Sequence, residues 1–109
     1  MNGTGHSSAR MQDPQPAEDA VVRALVIRNK KGLHARASAK FVQAVERFNA
    51  QVWVTRGGET VGGTSIMGLM MLAAGPGTTI TVAAAGSDAE AALAAITELV
   101  ESKFNEEGT

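Results

Sequence analysis

The chain contains no cysteine. That absence removes disulfides, thiolate nucleophiles and thiolate metal sites together. Its only imidazoles are His6 and His34, too few for a structural zinc site, so no metal is expected. An excess of one charge is missing as well: 10 basic and 11 acidic side chains leave a net charge of −1. No global field then attracts nucleic acid, and any anion recognition must come from a local cluster. Aromatic residues make up 4% of the chain; Trp53 stands in a strand-like stretch without a second aromatic, which argues against base stacking with RNA or single-stranded DNA. No apolar run approaches the roughly 20 residues that cross a bilayer, and the N-terminus lacks the basic and apolar blocks of a signal peptide. A soluble, cytoplasmic protein without membrane insertion is expected.

What is present suits one small domain: 109 residues, 44% of them hydrophobic, can build a single core but not two. Residues 1–20 are rich in Gly, Ser, Gln, Pro and Asp and cannot offset their ordering entropy, so they read as a disordered leader. His6 within it is a bystander, because a stable site needs several convergent ligands. The folded domain is expected over 21–106, with an acidic tail fraying from Asn105 and residues 107–109 outside the domain.

Hydrophobic periodicity orders the domain. Val21 to Asn29 alternates as a strand with Leu25 and Ile27 inward. Lys30-Lys31-Gly32 forms a turn that needs glycine and delivers Leu33 and His34 to a helix start. From Ala35 to Phe48 the apolar positions Ala37, Phe41, Ala44, Val45 and Phe48 follow helical spacing, and Phe41 and Phe48 should be buried. Gln51 to Thr55 is a strand, Arg56-Gly57-Gly58-Glu59 a hairpin, and Glu59 to Gly62 the returning strand. Thr64 or Ser65 caps a short apolar helix beginning at Ile66, which Gly75-Pro76-Gly77 stops. Composition alone favours core filler for Met67, Met70 and Met71. Thr78 to Ala84 is a strand with Ile80 and Val82 inward, and Ser87-Asp88-Ala89-Glu90 is a capping box opening a helix with the stripe Leu93, Ile96, Val100 and Phe104. The order βαββαβα describes an α+β open-faced sandwich: a four-stranded antiparallel sheet with three helices on one face.

Chemistry has few places to sit. A hydrolase triad lacks its acid, since no acidic residue lies near His34 in sequence. The glycine pairs match neither a phosphate-binding P-loop nor a dinucleotide fingerprint. His34 remains, at a helix start whose N–H groups and dipole suit a phosphate. Arg36 adds a cation able to bond phosphate oxygens in bidentate fashion, near Lys30 and Lys31. A near-neutral imidazole can attack phosphorus and leave readily. On residue types alone, a transient phosphohistidine and a histidine that caps or packs stand about even.

Gly32-Leu33-His34-Ala35-Arg36-Ala37-Ser38-Ala39-Lys40-Phe41-Val42 closely resembles the phosphorylation motif of the HPr family, phosphocarriers of the bacterial phosphoenolpyruvate-dependent phosphotransferase system. Gly63-Thr64-Ser65-Ile66-Met67-Gly68-Leu69-Met70-Met71-Leu72 is similar to that family's second signature, in the family's order and spacing. The resemblance implies an HPr-like fold and a carrier that is not itself an enzyme and needs no cofactor. Enzyme I would phosphorylate Nδ1 of His34, and the phosphoryl group would pass to an EIIA-type protein, with Arg36 steadying it. Ser65 matches a serine phosphorylated in branches that possess an HPr kinase/phosphorylase. Ile66, Met67 and Met70 would fall on the partner-docking surface and Leu69 and Leu72 in the core, against the compositional expectation for Met67 and Met70. A monomer is expected, and both sugar uptake and a nitrogen-related phosphorelay fit the motifs.

Two departures stand out. Ala37 replaces a proline common after the active-site arginine, which leaves a good helix former in place. Gly63 stands where a basic residue is common. The rival reading is a non-phosphorylated regulatory or ligand-binding α+β module of the same architecture, since fold alone does not fix function.

Overall fold

The computed structural model describes residues 15–108. Of the leader expected over residues 1–20, residues 1–14, with His6, lie outside the described residues, as does Thr109 at the other end. The elements are β1 (Val21–Val26), α1 (Ala35–Glu46), β2 (Gln51–Arg56), β3 (Glu59–Gly62), α2 (Ile66–Met71), β4 (Thr79–Ala85) and α3 (Ala89–Glu101). The four strands form one sheet in the order β1-β4-β2-β3, with every neighbouring pair antiparallel.

Strand alternation decides what each face of the sheet carries. Leu25 stands opposite Ile80 and Val54 opposite Val82, and with Val52 and Ala84 they form the floor of the core. The helices cover this face. α1 buries Ala37, Ser38, Phe41, Val42, Ala44 and Val45, while α3 buries Leu93, Ile96 and Val100. Complete burial of Phe41 and of Phe104 contributes about 1.5–3 kcal/mol each. Trp53 is buried but lies outside this core; its cross-strand partners Gly62 and Ala83 place it on the helix-free face.

The short α2 is held at three points. Ser65 caps it, its Oγ accepting the Gly68 N–H at 2.9 Å, while Leu69 and Leu72 are buried as the motif implied. Met67 and Met71 are 72% and 67% exposed, and Ile66 and Met70 are 42% exposed. The compositional expectation of core methionines is therefore overturned: the helix is too short to bury more than one side, and Leu69 and Leu72 take that side.

Several boundaries move. β1 ends at Val26 rather than Asn29, although Ile27 still bonds the Thr78 carbonyl at 2.9 Å and the Gly77 N–H at 2.8 Å. α1 stops at Glu46, and Phe48 beyond it is half-buried instead of core; the Arg47 guanidinium lies 5.4 Å from its ring centroid, a cation–π contact at the surface. The capping box before α3 does not close. Asp88 is the N-cap residue without a side-chain capping bond, because its Oδ2 accepts the Asn49 N–H at 2.7 Å and ties down the loop after α1. Phe104 is buried as the stripe required, but in the turn Lys103–Asn105 after α3.

The turn into α1 is where the backbone is most constrained. Gly32 has φ +65°, and a Cβ there would stand 2.2 Å from the Ala74 carbonyl oxygen, the same oxygen that accepts the Leu33 N–H at 2.9 Å. Gly32→Ala is expected to destabilise the fold by at least about 2 kcal/mol in chemical denaturation, from left-handed strain plus the clash. Gly58→Ala is the control: nothing lies within 4 Å of its Cβ position, so its change should stay within about 0.5 kcal/mol.

Candidate functional site

The Gly32 turn aims His34 at the start of α1, where it is the N-cap residue in an extended conformation. Its main-chain carbonyl accepts the Ser38 N–H at 2.8 Å. Its own Nδ1 accepts the Arg36 N–H, long at 3.3 Å. The imidazole thus does the work usually given to a serine or aspartate cap. No acidic residue occupies the first turn of α1, so nothing there competes with an incoming anion for the dipole end. Ser38 is buried beneath, its Oγ donating to the Leu33 carbonyl at 3.1 Å, which locks the approach to the cap.

The side chain of His34 is 28% exposed, enough for an incoming group to reach it. It lines an open cleft with Lys31, Arg36, Lys40, Glu106 and Glu107. Arg36 is exposed beside it, so the structure brings His34 and Arg36 together as the sequence suggested. A second shallow hollow joins His34 and Leu33 to Met70 and to Ala73, Ala74 and Gly75. Met70 also belongs to the apolar patch of Ile66, Met67 and Met71, which makes that patch continuous with the histidine. Ser65 stands exposed at the opposite end of α2, committed to its cap. Among the described residues no group of histidine, cysteine, aspartate or glutamate is arranged to hold a metal, and no helix is long and apolar enough to cross a membrane.

Two residues escaped the sequence reading. Glu106 lies 72 positions beyond His34, yet its Oε2 is 2.6 Å from Nε2 of the imidazole. Its Oε1 accepts from Asn29 Nδ2 at 3.2 Å, and Asn29, wholly buried, also donates to the Gly32 carbonyl at 2.9 Å. The tail expected to fray from Asn105 is therefore tied down at Glu106. Phe104 was the available signal, since an apolar residue continuing the α3 stripe brings the following residue back to the body. Desolvation pushes the Glu106 pKa up, but the hydrogen bonds from His34 and Asn29 and the charges of His34 and Lys40 outweigh it and hold it below the ordinary value of 4.5.

A depressed carboxylate stabilises the fold above its unfolded pKa and loses that contribution as pH falls through the folded one. Glu106→Gln should accordingly lower the melting temperature near neutral pH, and the gap to the parent should close as pH drops below 4.5. Thermal melts of both proteins across that range check this; a gap that does not change with pH would mean that the Glu106 charge adds nothing.

Comparison with known proteins matches residues 21–102 to the family model described as the PTS HPr component phosphorylation site. The phosphocarrier protein HPr of Neisseria meningitidis is 49% identical over 84 residues, covering 77% of this chain and 94% of its own. The phosphocarrier protein NPr of Shewanella violacea is 44% identical, covering 77% and 92%. The crystal structure of an HPr from Thermoanaerobacter tengcongensis superposes with a TM-score of 0.76 at 42% identity, covering 80% of this chain and 98% of that one. With its four-stranded antiparallel sheet, its three helices and these relatives, the chain belongs to the HPr family of phosphocarrier proteins of the phosphotransferase system, which are carriers and not enzymes.

Proposed function

We propose that His34 accepts a phosphoryl group on Nδ1 from phospho-Enzyme I and hands it to a histidine of an EIIA-type protein. The observation that carries this reading is the cap geometry: Nδ1 sits against a helix N-terminal N–H in a cleft lined by Lys31 and Arg36. When phosphorus bonds to Nδ1, the Arg36 N–H that faced the lone pair can turn to a phosphoryl oxygen, and the dipole end and Arg36 guanidinium offset the added charge. Attack forms the Nδ1–P bond and breaks the bond to the donor, whose leaving atom keeps the electron pair. Transfer to the acceptor repeats this in reverse, with the imidazole as the leaving group.

Partners would dock on Ile66, Met67 and Met70, whose exposure and continuity with the histidine support one footprint over both. Methionine suits such a surface because its flexible thioether adapts to differently shaped partners. Ser65 is the proposed regulatory site. A phosphate on its Oγ is compatible with the cap, since it remains an acceptor at a helix start, but it would place negative charge beside the apolar patch and weaken docking through desolvation and repulsion.

Incubation with Enzyme I and labelled phosphoenolpyruvate tests the carrier reading. The parent should take up label at histidine and His34→Ala none; equal uptake by both moves the site, and none by either removes the carrier reading with that donor. Given ATP and an HPr kinase/phosphorylase, the parent should gain acid-stable label and Ser65→Ala should not. Persisting label in Ser65→Ala would put the regulatory site elsewhere. Sugar permease genes beside the coding sequence would point to sugar uptake over the nitrogen-related relay.

A further inference from the structure

A neutral imidazole carries one proton, on one of its two nitrogens. The structure bears on which. Nε2 faces Oε2 of Glu106 at 2.6 Å, and an ionised carboxylate only accepts, so Nε2 must hold the proton. Nδ1 faces the Arg36 N–H, which only donates, so Nδ1 must present its lone pair. One tautomer satisfies both contacts and the other violates both.

Glu106 is itself held. Its second oxygen takes the Asn29 Nδ2 bond, and the same nitrogen faces the Gly32 carbonyl. Two acceptors on one side fix the amide's orientation. The opposite atom, Asn29 Oδ1, is buried with no partner, an unfavourable placement that goes with an amide oriented for its donors. The backbone that delivers Glu106 is also unusual: Lys103, Phe104 and Asn105 take φ values of 58°, 56° and 55° in succession. Three non-glycine residues in the left-handed region are strained. They are kept there by the buried Phe104 ring and by Lys40 Nζ, which donates to the Phe104 carbonyl at 2.6 Å.

We propose that Asn29 and Glu106 are positioning residues for His34: Asn29 orients the Glu106 carboxylate, and the carboxylate holds the imidazole proton on Nε2, leaving the Nδ1 lone pair directed at phosphorus. The geometry stands on its own, while its consequence for transfer rests on the phosphocarrier reading. As the Nδ1–P bond forms and the donor's leaving atom takes the electron pair of the broken bond, the ring keeps its Nε2 proton and gains positive charge. Glu106 balances that charge at the atom where it appears. The arrangement is the logic of a base oriented by a carboxylate, with the base used as a nucleophile.

Glu106→Gln is a sharp test because of Asn29. A glutamine amide can give its oxygen to the Nε2 proton only by turning its NH2 toward the Asn29 NH2, donor against donor. Turned the other way, its NH2 points at Nε2 and favours the tautomer protonated on Nδ1, giving up only the long Arg36 contact at 3.3 Å, whose N–H is left to water at the exposed helix start. In 15N spectra recorded at a pH above the ring's own observed titration, the parent's neutral His34 should be protonated on Nε2, and Glu106→Gln should shift population to Nδ1–H. Its initial rate of phosphorylation by Enzyme I should fall about 10-fold, a typical loss when a partner that orients a histidine is removed. Removing the conflict with Asn29→Ala in the Glu106→Gln background should return the tautomer toward the parent's, a rescue that a merely structural role would not give. Lys31, Arg36, Lys40 and Glu107 line the same cleft, so all proteins are compared at one pH and one ionic strength. A Glu106→Gln protein with the parent's tautomer, or a double variant with no rescue, overturns the positioning role of Asn29 and Glu106. A parent that shows the tautomer shift on substitution yet takes up no phosphate from Enzyme I leaves that role standing and removes the carrier reading instead.

Discussion

The rest of the site depends on one close approach, that of the Gly32 backbone to the Ala74 carbonyl oxygen. Without a side chain at Gly32 the two segments meet, and Leu33 donates to that oxygen at 2.9 Å. This contact fastens the turn before α1 to the end of α2, two segments some forty residues apart. It therefore fixes the histidine relative to the methionine patch, and Met70 and His34 come to share one hollow. A chain that reversed direction here with any β-carbon would have to open the gap. Ala73, next to the contact, takes φ 52°, so the α2 side of the junction also departs from ordinary backbone to make it.

On the other side of His34 the constraint is carried by side chains. Phe104 in the core, Lys40 on its carbonyl and Asn29 on the Glu106 carboxylate hold the chain's last described stretch against the helix start. Lys40 is not part of the apolar stripe of α1. The left-handed turn curls back within its reach, and its ammonium becomes a cap for a carbonyl. The imidazole is thus gripped at both nitrogens, by a main-chain donor from its own helix and by a carboxylate from the far end of the chain.

Those differences explain what could be read in advance. Features set by neighbours a few positions away were legible: the glycine turn, the Ser65 cap, the Phe41 and Leu93–Ile96–Val100 stripes, and the Arg56–Glu59 hairpin with Gly57 at φ 57°. The resemblance of two motifs then assigned fold and family, and the four-stranded antiparallel sheet agrees. Features decided by competition were not legible. Asp88 could cap α3 or bind the Asn49 N–H, and composition does not rank the two. Phe48 fits the α1 period, but the helix ends at Glu46 and its stripe ends with it. Glu106 was furthest out of reach, because three consecutive left-handed residues that are not glycine carry no propensity signal, and its partner is 72 positions away.

The placement of methionine and leucine within α2 follows from the same economy of length. An isolated helix of six residues would not form in water, so α2 exists by virtue of Leu69 and Leu72 in the core and Ser65 at its start. Those anchors occupy its inner side and its first turn, which leaves Ile66, Met67, Met70 and Met71 to solvent. Exposed apolar surface of this kind marks an interaction site more often than an accident of packing. The helix is thereby rigid where it meets the protein and adaptable where a partner would meet it. Because its cap residue is also its proposed modification site, a charge arriving there would leave the inner anchors untouched and act on the outer surface alone. A regulatory group that spares the fold while changing docking needs that separation, and the alternation of Leu69 with Met67, Met70 and Met71 along one short helix provides it.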